Sequence, residues 1–284
     1  MPDQADQLRQ LACAAPPAAR GAWPGPPLLA LTGGKLGVGT TTVAVNLGAA
    51  LADAGLRVVL VDADLAHANV VQVAGVHGGS TDSLSDVLSG NCGAAAALQP
   101  GPAGMLLLAN PPASDRVPDH SRRGQQRLLC ELQSLATESD LIIVDTGSGV
   151  TPWTRRFWQR SRLVLVVTTP DAGGIRETYA TIKLASADQL DADLCLLLNQ
   201  CDIPAQADDV HRRLSGACQR FLARSVPAMP SLPLHTVGSN SDAKFPPRVW
   251  EMPDSSFGHA VLWLRRAVTD MLSGSTLRPR PSAN

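Results

Sequence analysis

The chain has 284 residues, is 44% hydrophobic and carries a formal net charge of −1, so it is long enough to bury a large core as one domain. That charge argues against a general nucleic-acid binder, and no apolar run approaches the roughly 20 residues of a membrane span. The N-terminus is polar and acidic and does not read as a signal peptide.

In chain order, "DQADQLRQLA" predicts a short helix with Ala5, Leu8, Leu11 and Ala12 on one face and Asp3 as N-cap. "APPAARGAWPGPP" then reads as a tether, which separates residues 1–27 from a body over 28–273 and a disordered tail over 274–284. Within the body, short apolar runs predict strands at Leu28–Thr32, Val58–Asp62, Met105–Ala109, Leu141–Asp145, Leu163–Thr168 and Leu194–Asn199. Helical spacing falls between them at 43–54, about 123–136 and 175–187. The alternation predicts an α/β fold, a mostly parallel twisted sheet with helices on both faces.

Six cysteines form no CxxC pair and are expected to be reduced and mostly buried, as in a cytoplasmic protein. The six histidines include no HExxH. Only three of the 24 basic residues are lysines, and Lys35 lies inside a glycine-rich loop.

That loop, "GGKLGVGTTT" (33–42), stands between a predicted strand and a predicted helix, the order a phosphate cradle requires. Alignment to G-x-x-x-x-G-K-[ST] puts Gly34 first, Gly39 sixth, Thr40 at the lysine and Thr41 at the Mg²⁺-binding hydroxyl. The candidate nucleotide-binding residues are Gly34, Lys35, Gly37, Val38, Gly39, Thr40, Thr41 and Thr42, with Gly147 and Asn199. Three strand ends support them. "VVLVDADLAHANV" ends a strand in Asp62-Ala63-Asp64, "DLIIVDTGSG" has the Walker B pattern at Asp145, and "LCLLLNQCD" offers the Asn199 amide to a base edge.

Together these segments resemble the MinD/ParA group of deviant Walker A P-loop ATPases, whose loop reads K-G-G-x-G-K-[TS] against Lys35-Leu36-Gly37-Val38-Gly39-Thr40-Thr41 here. More narrowly, "DQADQLR" (3–9), "VDADLAHANV", "SLSDVLSG" (83–90), "DTGSG" (145–149) and "VVTTPDAGGIRETYATIK" (166–183) are similar to the FlhG/FleN (YlxH) regulators of flagellar number and placement. The resemblance implies ATP and Mg²⁺ as cofactors and an ATP-dependent homodimer in which Lys35 reaches the partner's phosphates. It implies Thr41, Asp64 and Asp145 as metal-site residues, Asp64 positioning the attacking water, and Asn199 on adenine. It also implies that Asp3, Gln4, Ala5, Leu8 and Arg9 meet an FlhF-type signal-recognition GTPase, with Gln4 the activating side chain. Lys35, Asp64 and Asp145 are the expected catalytic residues.

The chain departs from that pattern at Leu36, at Thr40 and at His235, where the family often has an aspartate. Threonine is neutral and too short for the lysine's role, so hydrolysis is expected to be impaired, with Arg155 or Arg156 as candidates to compensate. Two other readings compete: a non-catalytic pseudo-ATPase scaffold acting through its N-terminal helix, and a CpaE/TadZ-like pilus-assembly localiser. "SSFGHAVLWLRRAVTDML" puts Val261, Leu264, Val268, Met271 and Leu272 on one face, either as core or as a peripheral contact with the inner face of the cell membrane.

Overall fold

The computed structural model describes residues 23–77, 82–110, 121–188, 190–234 and 248–273. The expected N-terminal helix, most of the expected tether, His235 and residues 274–284 lie outside them. Strand β1 (Leu28–Gly33) leads through the glycine loop into α1 (Thr40–Asp53), and β2 (Val58–Asp62) follows. Three short helices come next: α2 (Val70–Ala74), α3 (Leu84–Ser89) and α4 (Ala94–Ala97). Then follow β3 (Gln99–Pro100), β4 (Leu106–Leu108), α5 (Arg122–Ser134) and β5 (Leu141–Ser148). Helix α6 (Pro152–Trp158), β6 (Leu163–Thr168) and α7 (Ala172–Ala187) precede β7 (Asp193–Leu198), α8 (Pro204–Leu222) and α9 (Ser256–Leu272).

The strands form one sheet in the order β3-β4-β2-β5-β1-β6-β7. Every pairing is parallel except β3 with β4. The six residues of β1 are all buried, because helices cover both faces of this central strand. On one face α1 and α9 enclose Leu29, Leu31, Leu60 and Leu165. On the other, α3, α5 and α6 cover Leu28, Val59 and Ile142, while α7 and α8 cover Ala30, Val164 and Leu196.

Register brings the carboxylates together. Asp62 pairs directly with Asp145 across β2 and β5, and Leu31 of β1 lies on the far side of Asp145. The β1–β5 register shifts between Leu31 and Gly33, where the chain leaves the sheet for the glycine loop. Four helices start on a side-chain cap: Ser121 for α5, Thr151 for α6, Asp171 for α7 and Ser255 for α9. Helix α1 has none; it starts from Gly39, whose φ of 84° is left-handed, and no side chain satisfies its first N–H groups.

Three expectations need correcting. The strand expected at Met105–Ala109 is trimmed to Leu106–Leu108, and the one expected to end at Asn199 ends at Leu198. The short antiparallel β3 was not expected. Cys92, Cys195, Cys201 and Cys218 are free, but Cys130 is disulfide-bonded.

Of the two readings of the C-terminal stripe, α9 takes the core one. Val261, Leu264, Val268 and Leu272 are buried in the core, with Met271 packed against them. At roughly 1.5–3 kcal/mol for each of these four side chains, exposing that face costs as much as a whole domain's typical stability. In the folded body the stripe is core. Among the described residues, no helix is long and apolar enough to cross a membrane.

Candidate functional site

The C-terminal ends of β1, β2, β5, β6 and β7 surround the glycine loop. Gly34 lies so close to α7 that a Cβ there would come within 2.6 Å of the Thr178 backbone nitrogen, so only glycine fits. Gly37 also has a φ of 84°, with open space where a Cβ would point. The uncapped α1 N-terminus and this open turn make a cradle for an anion.

Thr40 is buried, and its hydroxyl packs against Gly33; it offers the cradle no charge. Thr41 donates its hydroxyl to Asp145, whose Oδ1 also accepts from Gly147 N at 3.0 Å. Thr42 gives its carbonyl to Asn46. Asp145 is fully buried and its Oδ2 has no partner. Burial, with a smaller push from Asp64, raises its carboxyl to about 6, against the hydrogen bonds from Thr41 and Gly147. Asp62 is raised too, by burial first and by Asp145 second; its Oδ2 accepts from Val70 N at 3.0 Å, and Oδ1 is unpartnered.

Asp64 completes the acidic wall. Its Oδ1 accepts from Ala66 N and His67 N at 3.2 and 3.0 Å, and the His67 ring nitrogen Nδ1 lies 3.6 Å away. It leans on Gly147, where a Cβ would fall 2.1 Å from Asp64 Oδ2 and φ is 66°. Just upstream, the Ala63 carbonyl accepts from the buried Trp153 indole of α6 at 2.8 Å. The Trp153 ring meets Phe157 edge-on.

A divalent cation fits this wall. A buried carboxylate oxygen without a partner, next to a hydroxyl, is the hard oxygen donor set that Mg²⁺ takes. Among the described residues, no three His, Cys, Asp or Glu side chains are grouped to hold a metal alone, so a cation bound here would take further oxygen ligands, from water or phosphate, to complete its shell.

The opposite wall is sparse in charge. Lys35 is bound within its own chain, 2.8 and 2.9 Å from the two carboxylate oxygens of Asp171. The lysine, then the Thr169 hydroxyl and Gly174 N, hold the Asp171 carboxyl well below the usual carboxylate range. Leu36 beside it is 64% exposed. Arg155 does not compensate for Thr40, because it is paired with Asp188. Asn199 donates to the Val38 carbonyl at 2.8 Å, and Gln200 donates to that of Gly37 at 3.1 Å.

The structure thus gathers Gly34 to Thr42, Asp64, Asp145, Gly147 and Asn199 around one cradle. Asp3, Gln4, Ala5, Leu8 and Arg9 lie outside the described residues. Sequence reading missed Asp62, Asp171 and Gln200 as site residues; each follows or ends a predicted strand on the same edge, which was the available signal.

Residues 29–233 match the family model for the CobQ/CobB/MinD/ParA nucleotide-binding domain. The chain belongs to this family. A MinD/ParA-type chain is similar to the antiactivator FleN of Pseudomonas aeruginosa, with 33% identity over 195 residues, 69% of each chain. It is 28% identical over 211 residues to the flagellum site-determining protein YlxH of Helicobacter pylori, covering 74% of this chain and 68% of that one. Its fold superposes on Pyrococcus horikoshii MinD complexed with Mg-ADP at a TM-score of 0.70 and 25% identity, over 87% of this chain and 97% of that one.

Proposed function

We propose that this MinD/ParA-type protein is an ATP-binding switch that helps set flagellar number or placement, with slow hydrolysis. The observation that carries the nucleotide reading is the unpartnered Asp145 Oδ2 beside Thr41, at the uncapped start of α1. The flagellar reading is supported by the similarity to FleN and YlxH.

Backbone N–H groups of the loop bind the phosphates, and Thr41 and Asp145 hold Mg²⁺. The cation's part is to neutralise charge between the phosphates. Asp64, fixed by the Ala66 and His67 N–H groups, orients the attacking water. Lys35 leaves Asp171 for a phosphate of a second copy, which makes homodimerisation depend on nucleotide. Asn199 lies on the base side of the cradle while keeping its hydrogen bond to the Val38 carbonyl, and the N-terminal segment with Gln4 acts on an FlhF-type GTPase.

Thr40 favours a second reading. A missing transition-state donor commonly costs about 10²–10³ in rate, so a binding-only scaffold keeps every feature except turnover. A calorimetric titration with Mg·ATP, run beside Lys35→Ala, tests the shared premise. Micromolar binding weakened by the substitution is expected. No binding up to millimolar ATP would overturn the switch.

A further inference from the structure

Two consecutive amide side chains grip the glycine loop from β7. Successive residues of an extended strand point to opposite faces. Here the chain turns instead: Gln200 has a φ of 58°, in the left-handed region where a non-glycine residue is strained. The turn lets both side chains meet the same loop, Asn199 at the Val38 carbonyl and Gln200 at the Gly37 carbonyl. The fit at Asn199 is close, since a Cβ on Gly39 would lie 2.4 Å from its Nδ2.

The carbonyls engaged are informative. In a trans peptide the C=O and the N–H of the next residue point in opposite directions. Pulling the Gly37 carbonyl outward turns Val38 N–H the other way, and pulling the Val38 carbonyl outward does the same for Gly39 N–H. Those are loop donors of the kind an anion cradle uses. A loop with lysine at position 40 has a charge to organise around; this one has threonine, so the orientation of its N–H groups matters more.

We propose that Gln200, together with Asn199, is a positioning residue that holds Val38 N–H and Gly39 N–H ready for a nucleotide's phosphates. The proposal rests on the nucleotide-binding reading above and adds what readies the lysine-free loop. Strain at Gln200 is retained because the side chain has this task.

Gln200→Gly separates task from fold, since glycine removes the donor and relieves the left-handed backbone. The nucleotide-free variant is expected to melt at the same temperature or about 2–4 °C higher. Its affinity for Mg·ATP should nevertheless fall about three- to tenfold. Amide exchange at Val38 and Gly39, followed by NMR without nucleotide, should quicken at least threefold. Unchanged affinity, or a melting temperature that falls along with affinity, would overturn the positioning role. If the wild-type protein binds no Mg·ATP, the nucleotide reading fails, and exchange alone decides whether Gln200 orders the loop: unchanged exchange sinks that claim too.

Discussion

The two walls of the site differ in what they retain. The strand-end wall has Asp62, Asp64 and Asp145 packed side by side, two of them deeply buried with an oxygen unpartnered. The loop wall carries one cation, Lys35, already neutralised by Asp171, and a threonine where charge is normally supplied. Three carboxylates therefore face a loop with no free positive charge among the groups described here. On the proposed reading, an anionic nucleotide entering alone would meet repulsion, which a divalent cation carried with it would relieve. On that reading, this chain keeps the acidic half of the site and has a reduced phosphate-charge half.

The strongest way to break that contrast is to restore charge to the loop. Thr40→Lys is expected to raise ATP turnover about 10²–10³-fold, read by phosphate release. If turnover does not move, the deficit lies elsewhere than at position 40.

The next test acts on the acidic wall. The Asp145 carboxyl titrates near 6 in the fold against an ordinary 3.8. Between those values the folded protein holds a proton that the unfolded chain has lost, so stability falls as pH rises from about 4 to about 6, and the penalty persists above. Asp145→Asn removes it. The nucleotide-free variant should be more stable than wild type by about 3 kcal/mol at pH 7.5, and nearly equal to it at pH 4, by denaturant melts. The same substitution should abolish the advantage of Mg·ATP over metal-free ATP in titrations.

The smallest effect comes from loosening Lys35. Asp171→Asn keeps the α7 cap, since asparagine caps as well as aspartate does, but removes the charge that detains the lysine. Affinity for Mg·ATP should rise about two- to threefold, because exposed ion pairs are weak. A drop in affinity would mean that Asp171 serves the nucleotide rather than competing with it.

Much of this was legible beforehand. The main strands of the sheet, the glycine loop and the Walker B aspartate could be read because buried parallel strands are continuous apolar runs, and because glycines with special conformations are needed at a cradle. The helices at 70–74, 84–89 and 94–97 were missed because four to six residues are too few to show a period of 3.6. Asp171 was invisible as the partner of Lys35 because 136 residues separate them. The left-handed turn at Gln200 had no signal, since glycine or asparagine ordinarily marks such a place. The C-terminal stripe was legible as apolar, but whether core or bilayer covers it is decided by α1, which no local pattern encodes.

The indole of Trp153 has a further consequence. By donating to the Ala63 carbonyl it ties α6 to the residue just before Asp64, and Arg155 on the same short helix is bound to Asp188 at the end of α7. Asp64's turn, α6 and the far end of α7 are thus mechanically in series. The hydrogen bond and the ion pair place one short helix between the turn that carries Asp64 and the far end of α7.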